Sequence, residues 1–277
     1  MTRQPLPESK QIEVNGVGLH YLDWGSAQAQ PMVLLHGLQD CARGWDFFAP
    51  NMSSELHVLA LDHRGHGDSA WADARHYRLR DYVADVEALI GQLGLRQVIL
   101  VGHSAGGRNA FMYAISRPQD VESLVIVDID PDPVNPASGG MFQRYNTEPD
   151  EWESMDAVIE RLRSRQPNSA PDMLAHQALH MTNELTGGRR VWKRDRKLLA
   201  AYERPDLWAE WSQITCPTLI VRGRQSELLT HAVAVRMREA IPRVRLAELE
   251  GGGHWFYQEM PSTFEATVRW FLQNPPS

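Results

Sequence analysis

The sequence predicts an α/β fold: a mostly parallel, doubly wound sheet with a helical cap inserted after the sixth strand. Short apolar runs, which suit strands buried on both faces, alternate with segments of helical periodicity. A glycine-flanked serine at Gly102–Gly106 lies between such a run and such a segment. The strand pattern then disappears between residues 132 and 208, and helical segments replace it.

The chain is predicted to begin with a hairpin and a buried strand. Residues 11–25 alternate apolar and polar side chains on both sides of Asn15-Gly16, a pair that favours a tight hairpin turn. Pro31–Leu35 is an uninterrupted apolar run, which predicts a strand covered on both faces.

Helices and strands are then predicted to alternate. Residues 43–54 and 78–93 carry apolar side chains at helical spacing, so both segments are predicted helices. Val58–Leu61 and Ser123–Asp128 are apolar runs typical of buried strands. Because repeated βα units join parallel strands of one sheet, this order predicts a parallel sheet.

The motif Gly102-His103-Ser104-Ala105-Gly106 follows the apolar run Val98–Val101 and precedes a helical pattern. A strand that turns sharply into a helix crowds the residues beside the turn, and glycines remove that crowding. Ser104 is then presented at a helix N-terminus, where backbone N–H groups favour negative charge. The pattern predicts that Ser104 is a nucleophile.

The domain organisation follows from where the strand pattern stops and resumes. We expect a core formed by residues 1–131 and 209–277, and a cap formed by residues 132–208. The last two strands of the core sheet are predicted at Thr218–Val221 and Arg243–Leu249.

Composition excludes several classes of protein. The chain has 277 residues and a net charge of −7, which argues against binding nucleic acid. Its two cysteines, Cys41 and Cys216, form no zinc motif. The first residues hold no apolar signal region, and no segment is long and apolar enough to span a membrane. We expect a cytoplasmic monomer or homodimer with a small-molecule substrate and no membrane partner.

Four motifs together resemble the α/β-hydrolase fold family, in its serine-nucleophile branch. They are His36-Gly37, Asp62–Ser69, Gly102–Gly106 and Gly253-His254. The resemblance covers nearly the whole chain and implies the fold, whereas many chemistries share that fold. It also implies a Ser–His–acid triad that needs no metal and no organic cofactor.

The resemblance assigns the base and the oxyanion hole. His254 lies in a glycine-rich loop after the last strand, where family members place their histidine, and a serine hydroxyl needs such a base. The two backbone N–H groups of the oxyanion hole are expected from Leu38, after His36-Gly37, and from Ala105, after the nucleophile.

The acid stays open between two residues. Most family members carry it in the loop after the strand at Thr218–Val221, but the expected position holds Ser226. Asp128, at the end of the strand after the nucleophile's helix, matches the alternative site of some family members and is preferred. Glu227 is the second candidate, and Asp130 is a weak third.

Pocket residues are harder to predict. Aromatic side chains beside the catalytic loops, together with apolar side chains of the cap, are expected to line an apolar pocket. The candidates are Trp45, His103, Trp255, Trp192 and Met181. Arginines of the cap could clamp a substrate carboxylate through paired hydrogen bonds. These arginines are Arg144, Arg161, Arg163, Arg165, Arg189 and Arg190.

These residues predict a serine hydrolase that cleaves a carboxylic ester, lactone or related acyl bond of a small, partly apolar substrate through an acyl-enzyme. Two alternatives stay open: hydrolysis of amide or carbon–carbon bonds in a small carboxylic acid, and a non-catalytic small-molecule receptor on the same fold. Because residue 104 is not an aspartate, the dehalogenase and epoxide hydrolase chemistries of this family are disfavoured.

Overall fold

The computed structural model describes residues 5–276. Residues 1–4, part of the amino-terminal stretch in which no signal region is predicted, and residue 277 lie outside the described residues. The strands are β1 (Glu8–Val14), β2 (Val17–Trp24), β3 (Pro31–Leu35), β4 (His57–Leu61), β5 (Val98–His103), β6 (Val121–Val127), β7 (Glu151–Trp152), β8 (Thr182–Glu184), β9 (Arg190–Trp192), β10 (Thr218–Gly223) and β11 (Val244–Leu249). The helices are α1 (Ala49–Met52), α2 (Leu79–Gln92), α3 (Ala105–Ser116), α4 (Pro136–Thr147), α5 (Met155–Arg165), α6 (Pro171–His180), α7 (Lys197–Ala201), α8 (Trp208–Trp211), α9 (His231–Ala240), α10 (Phe256–Glu259) and α11 (Pro261–Gln273).

The main element is an eight-stranded sheet with the order β1-β2-β4-β3-β5-β6-β10-β11. Strands β1 and β2 form the predicted hairpin, and β2 is also antiparallel to β4. From β4 to β11 every neighbouring pair is parallel. The predicted α/β fold with a mostly parallel sheet is therefore confirmed.

The central strands separate two hydrophobic cores, which explains why their sequences do not alternate with polar residues. In β3, Val33 and Leu35 belong to one core and Met32 and Leu34 to the other, and all four are fully buried. Successive side chains of a strand point to opposite faces, so a strand covered on both faces must be apolar throughout. Helices α2, α3 and α9 cover the first face, and α1 and α11 cover the second.

The segment after β3 differs from the continuous helix predicted over residues 43–54. It forms a short 3-10 turn at Ala42–Trp45 and then the four-residue helix α1. Pro50 lies in the first turn of α1. Proline has no N–H and is tolerated at a helix start, but it interrupts a continuous helix. The apolar side chains of this segment are buried in the second core, but the proline prevents one continuous helix.

The segment between β6 and β10 contains helices α4 to α8, but it is not purely helical. Strands β7, β9 and β8 form a small antiparallel sheet within it. These strands are two or three residues long. Segments of that length are too short for the two-residue alternation that identifies a strand in a sequence.

Two buried arginines fix the chain where it leaves and re-enters the core. Arg108 of α3 donates from Nη1 to the backbone oxygens of Asp130, at 2.8 Å, and Asp132, at 3.0 Å. Arg204 Nη2 lies 2.5 Å from Asp130 Oδ1, and both side chains are almost fully buried. Asp130, the weak third candidate for the acid, is thus used in this ion pair. Between residues 5 and 276, none of the helices is long and apolar enough to cross a membrane.

Candidate active site

Ser104 lies at a sharp turn between β5 and α3. Its backbone has φ 52° and ψ −124°, a conformation that non-glycine residues rarely adopt. A Cβ atom on Gly102 would lie 2.4 Å from the carbonyl oxygen of Gly106, and one on Gly106 would lie 2.4 Å from that of Leu35. Both glycines are therefore required by close backbone contacts, as the motif predicts.

His254 and Asp128 form a close pair. His254 Nδ1 lies 2.7 Å from Asp128 Oδ2, and the carboxyl group is fully buried at the carboxyl end of β6. The carboxyl group accepts two further hydrogen bonds, from the hydroxyl of Ser226 and, at 3.3 Å, from the backbone N–H of Gly223. The structure thus places Asp128 behind the imidazole and uses Ser226 to orient the carboxyl group.

Burial sets the electrostatics of this pair. Loss of solvent raises the pKa of Asp128, and the hydrogen bonds from Ser226 and Gly223 oppose that rise because they favour the carboxylate. Burial also lowers the pKa of His254, and the positive charges of Arg165 and Arg204 lower it further. An imidazole that is neutral at neutral pH can act as a base.

His103 connects the serine loop to the histidine loop. Its ring is buried beside that of His254, with centroids 4.6 Å apart, and its Nε2 lies 2.9 Å from the backbone oxygen of His254. Within residues 5–276, the hydroxyl of Ser104 makes no hydrogen bond to His254. Nucleophile–base contacts are commonly longer before substrate binds.

The oxyanion-hole candidates Leu38 and Ala105 flank the nucleophile. A Cβ atom on Gly37 would lie 3.0 Å from Ser104 Cβ, so the segment before Leu38 lies directly against the serine. Ala105 is the first residue of α3, where an N–H has no partner in its own helix. Among the described residues, the backbone N–H groups of Leu38 and Ala105 donate to no protein acceptor.

A cavity of about 410 Å³ lies between the cap and the catalytic loops. Its volume is in the range of small-molecule sites. His254, Trp255, Ser226 and Glu227 line its core side. Its cap side carries both apolar and cationic groups, namely Ala137, Met141, Arg144, Tyr145, Arg161 and Arg165. Glu227, the alternative acid, is therefore in the cavity wall, whereas Asp128 contacts the imidazole.

The other pocket candidates lie at three positions outside the wall of this cavity: His103 in the serine loop, Trp45 in the second core, and Met181 with Trp192 in a smaller cavity. Trp45 does not line the cavity: its indole is fully buried in the second core and packs on Tyr257, with centroids 4.4 Å apart. The short turn at Ala42–Trp45 directs that side chain onto the sheet. Met181 and Trp192 line a separate small cavity between the cap and the loop after β3, which Arg165 also borders.

Glu259 is a cavity residue that the sequence analysis did not identify. It accepts a hydrogen bond of 2.9 Å from the backbone N–H of Gly253, next to His254, and burial raises the pKa of its carboxyl group. Glu259 lies five residues after His254, at the end of the short helix α10, and no motif in the sequence marks it.

The histidine-rich segment Asp62–Ser69 has structural contacts. Asp62 accepts hydrogen bonds from the backbone N–H groups of Ala42, at 2.6 Å, and Asp68, at 2.9 Å. Arg64 makes a two-point ion pair with Asp85 of α2, with both distances 2.6 Å. These contacts link the segment to the turn at Ala42–Trp45 and to helix α2.

Comparison with known proteins identifies the fold family. The family model for the alpha/beta hydrolase fold matches residues 30–261. A 2-(acetamidomethylene)succinate hydrolase of Mesorhizobium japonicum is 28% identical over 255 residues, covering 91% of each chain. An sn-1-specific diacylglycerol lipase of Mus musculus is 28% identical over 255 residues, covering 90% of this chain and 82% of the lipase.

Solved structures of similar proteins have the same fold. The crystal structure of E-2-(acetamidomethylene)succinate hydrolase superposes with a TM-score of 0.89 and 26% identity, covering 96% of this chain and 99% of the other. An enol-lactonase of Burkholderia xenovorans, 23% identical, has the same fold with a TM-score of 0.77 over 96% of this chain and all of its own. The chain is a hydrolase and belongs to the α/β-hydrolase fold family.

Proposed function

We propose that the protein is a serine hydrolase that cleaves an acyl bond through an acyl-enzyme on Ser104, with His254 as base and Asp128 as the acid of the triad. The observation that carries the proposal is the 2.7 Å contact between His254 and the buried Asp128, next to a serine held in a strained turn. A carboxylate behind the imidazole holds the tautomer whose free nitrogen can take the serine proton.

The reaction follows from these positions. His254 takes the proton from Ser104 as the serine oxygen attacks the substrate carbonyl carbon. The backbone N–H groups of Leu38 and Ala105 stabilise the oxyanion that forms. His254 then protonates the leaving group, and in the second half it activates a water that cleaves the acyl-enzyme and releases Ser104.

The first test is the Ser104→Ala variant on short p-nitrophenyl esters. Loss of a triad nucleophile lowers kcat by several orders of magnitude, so activity within about tenfold of the parent would exclude Ser104 as nucleophile. A fluorophosphonate probe should label the parent at Ser104 and leave Ser104→Ala unlabelled. A folded parent that forms no adduct would instead favour the receptor alternative.

Arg165 favours a substrate that carries a carboxylate near the scissile bond. This residue ends α5, lines the cavity and places its guanidinium 4.7 Å from the centre of the Trp255 ring. Its Nε and Nη2 atoms are buried, and no described residue accepts a hydrogen bond from them. A buried donor without an acceptor is costly, and a substrate carboxylate would supply two acceptors.

The positive charge of Arg165 supports a second candidate reaction, which is hydrolysis of an amide in a small carboxylic acid. This reaction agrees with the acetamidomethylene-succinate substrate named for one relative. We expect Arg165→Met to raise KM for acidic substrates at least tenfold and to leave KM for their neutral methyl esters within about twofold. The matched control is Arg163→Met, since Arg163 is exposed and pairs with Glu160. Equal effects of the two variants would exclude a carboxylate-binding role for Arg165.

A further inference from the structure

We propose that Asp46, His176 and His180 form a Zn²⁺ site that joins cap helix α6 to the core segment after β3. The site is separate from the triad and goes beyond the proposed hydrolase function. The sequence predicts no metal for catalysis and contains no zinc motif. The three ligands come from two distant segments, and folding brings them together.

The distances fit a small tetrahedral ion. His176 Nε2 lies 3.1 Å from Asp46 Oδ2, and the rings of His176 and His180 have centroids 4.5 Å apart. One ligand atom from each of the three residues lies within 4.8 Å of the other two. Ligands about 2.0 Å from a tetrahedral Zn²⁺ are about 3.3 Å from one another, so a small inward rotation of the side chains completes the set.

The helix presents its two histidines together. His176 and His180 are four residues apart in α6, so they lie on one face of that helix. The His176 ring meets Phe47 edge to face, with centroids 5.3 Å apart, and this contact holds the ring toward Asp46. The adjacent, buried face of α6 contacts the core through the hydrogen bond from Gln177 to Gln258.

The two oxygens of the Asp46 carboxylate have different surroundings. Its Oδ1 is buried, and no described residue donates a hydrogen bond to it. Its Oδ2 accepts from Arg43 Nη1 at 3.1 Å, so the guanidinium competes with a metal for this carboxylate. The Arg43 side chain is 28% exposed and can move into solvent when an ion binds.

The donor set selects the class of ion. Two imidazoles and one carboxylate suit Zn²⁺ and similar transition metals, whereas Ca²⁺ and Mg²⁺ prefer oxygen ligands. Three protein ligands leave a fourth position for water. A second cluster, His20, Asp62 and Asp68, is less suitable because the Asp62 carboxyl group already accepts from His20 and from two backbone N–H groups.

The test is titration of EDTA-treated protein with Zn²⁺ by isothermal calorimetry. We expect one Zn²⁺ per chain, at least tenfold weaker binding in Asp46→Asn and His180→Ala, and unchanged binding in the exposed control His76→Gln. Arg43→Gln should bind Zn²⁺ more tightly, because it removes the competing cation. Cobalt added to the parent should show the visible absorption of a four-coordinate ion, and His180→Ala should lose it.

Two further measurements distinguish loss of the metal site from a folding defect and from binding at the catalytic site. Circular dichroism and the melting temperature in EDTA must match between the parent and His180→Ala, and His176→Gln replaces that variant if they do not. The His254→Ala variant should bind Zn²⁺ as the parent does. Loss of binding in His254→Ala with retention in His180→Ala would assign the metal to the catalytic site and overturn the proposal, as would a parent that binds no Zn²⁺.

Discussion

At the scale of single residues, Asp128 is held by several constraints at once. It has a φ of 50° at the end of β6, its carboxyl group is fully buried, and one oxygen contacts His254. Such a backbone conformation costs roughly 1–3 kcal/mol and persists only when the surroundings determine it. Ser226, where the family usually has its acid, instead donates to this carboxyl group.

The first prediction distinguishes the two candidate acids. Asp128→Asn should lower kcat on short p-nitrophenyl esters by about 10⁴-fold, because an amide cannot hold the reactive tautomer of His254 or balance its charge. Glu227→Gln should stay within about threefold of the parent, since Glu227 lies in the cavity wall. Steady-state kinetics measures kcat for both variants. A large loss in Glu227→Gln with little loss in Asp128→Asn would make Glu227 the acid.

The second prediction concerns pH. The hydroxyl of Ser226 favours the ionised form of Asp128, so its hydrogen bond lowers a pKa that burial raises. Removing it in Ser226→Ala raises the pKa of Asp128 further, and the carboxylate is then protonated at a higher pH as the solution is acidified. The acid limb of kcat/KM should therefore move to higher pH.

The measurement for Ser226→Ala is a full pH–rate profile, with the exposed Ser262→Ala as its control. We expect the parent and the control to share one acid limb, and Ser226→Ala to approach the parent's rate at high pH. A limb that stays in place, or that moves to lower pH, would contradict the role given to Ser226.

At the scale of elements, the turn between β5 and α3 depends on glycines that touch other backbone. The backbone oxygens of Leu35 and His36 lie within 2.5 Å of where a Cβ atom on Gly106 would be. No rotamer change can relieve such contacts, so β3 or the helix start must move. The position of Ser104 therefore depends on how closely α3 approaches the end of β3.

The third prediction uses two glycine-to-alanine substitutions. Gly106→Ala should lower the free energy of unfolding by about 2–3 kcal/mol, because the extra atom forces backbone apart. In the matched control Gly91→Ala, the new Cβ meets no atom within 4 Å in α2, and about 0.5 kcal/mol of stabilisation is expected. Urea denaturation measures both. A Gly106→Ala loss below about 0.5 kcal/mol would show that the turn tolerates a side chain.

At the scale of the whole molecule, the cap is attached to the core by buried charges as well as by apolar contacts. The ion pair of Arg204 with Asp130 lies where the cap segment returns to the core, and Arg108 binds the same turn through backbone oxygens. Removing one partner of a buried ion pair leaves the other charge without compensation. The cap and core should therefore lose stability together if this pair is broken.

The fourth prediction is that Arg204→Met lowers the free energy of unfolding by about 3–5 kcal/mol in urea denaturation. The neighbouring exposed pair of Glu203 with Arg78, at 3.8 Å, provides the control. Glu203→Gln should change stability by less than about 1 kcal/mol, as for surface ion pairs. Equal losses in the two variants would mean that the buried pair does not hold the cap to the core.

The sequence alone predicts the fold class, the position of Ser104 between a strand and a helix, and the loop that carries His254. These features depend on local properties: the periodicity of apolar residues, and glycines placed where only glycine fits. They could be predicted because each signal lies within a few consecutive residues.

The folded structure was needed to show which carboxylate contacts His254, because Asp128 and Glu227 are both reasonable from their positions in the chain. It also placed Trp45 in the core rather than at the cavity, and it brought Asp46 to the histidines of α6. These outcomes depend on contacts between residues far apart in sequence. Such contacts are set by how the sheet, cap and loops pack, and no local pattern records that packing.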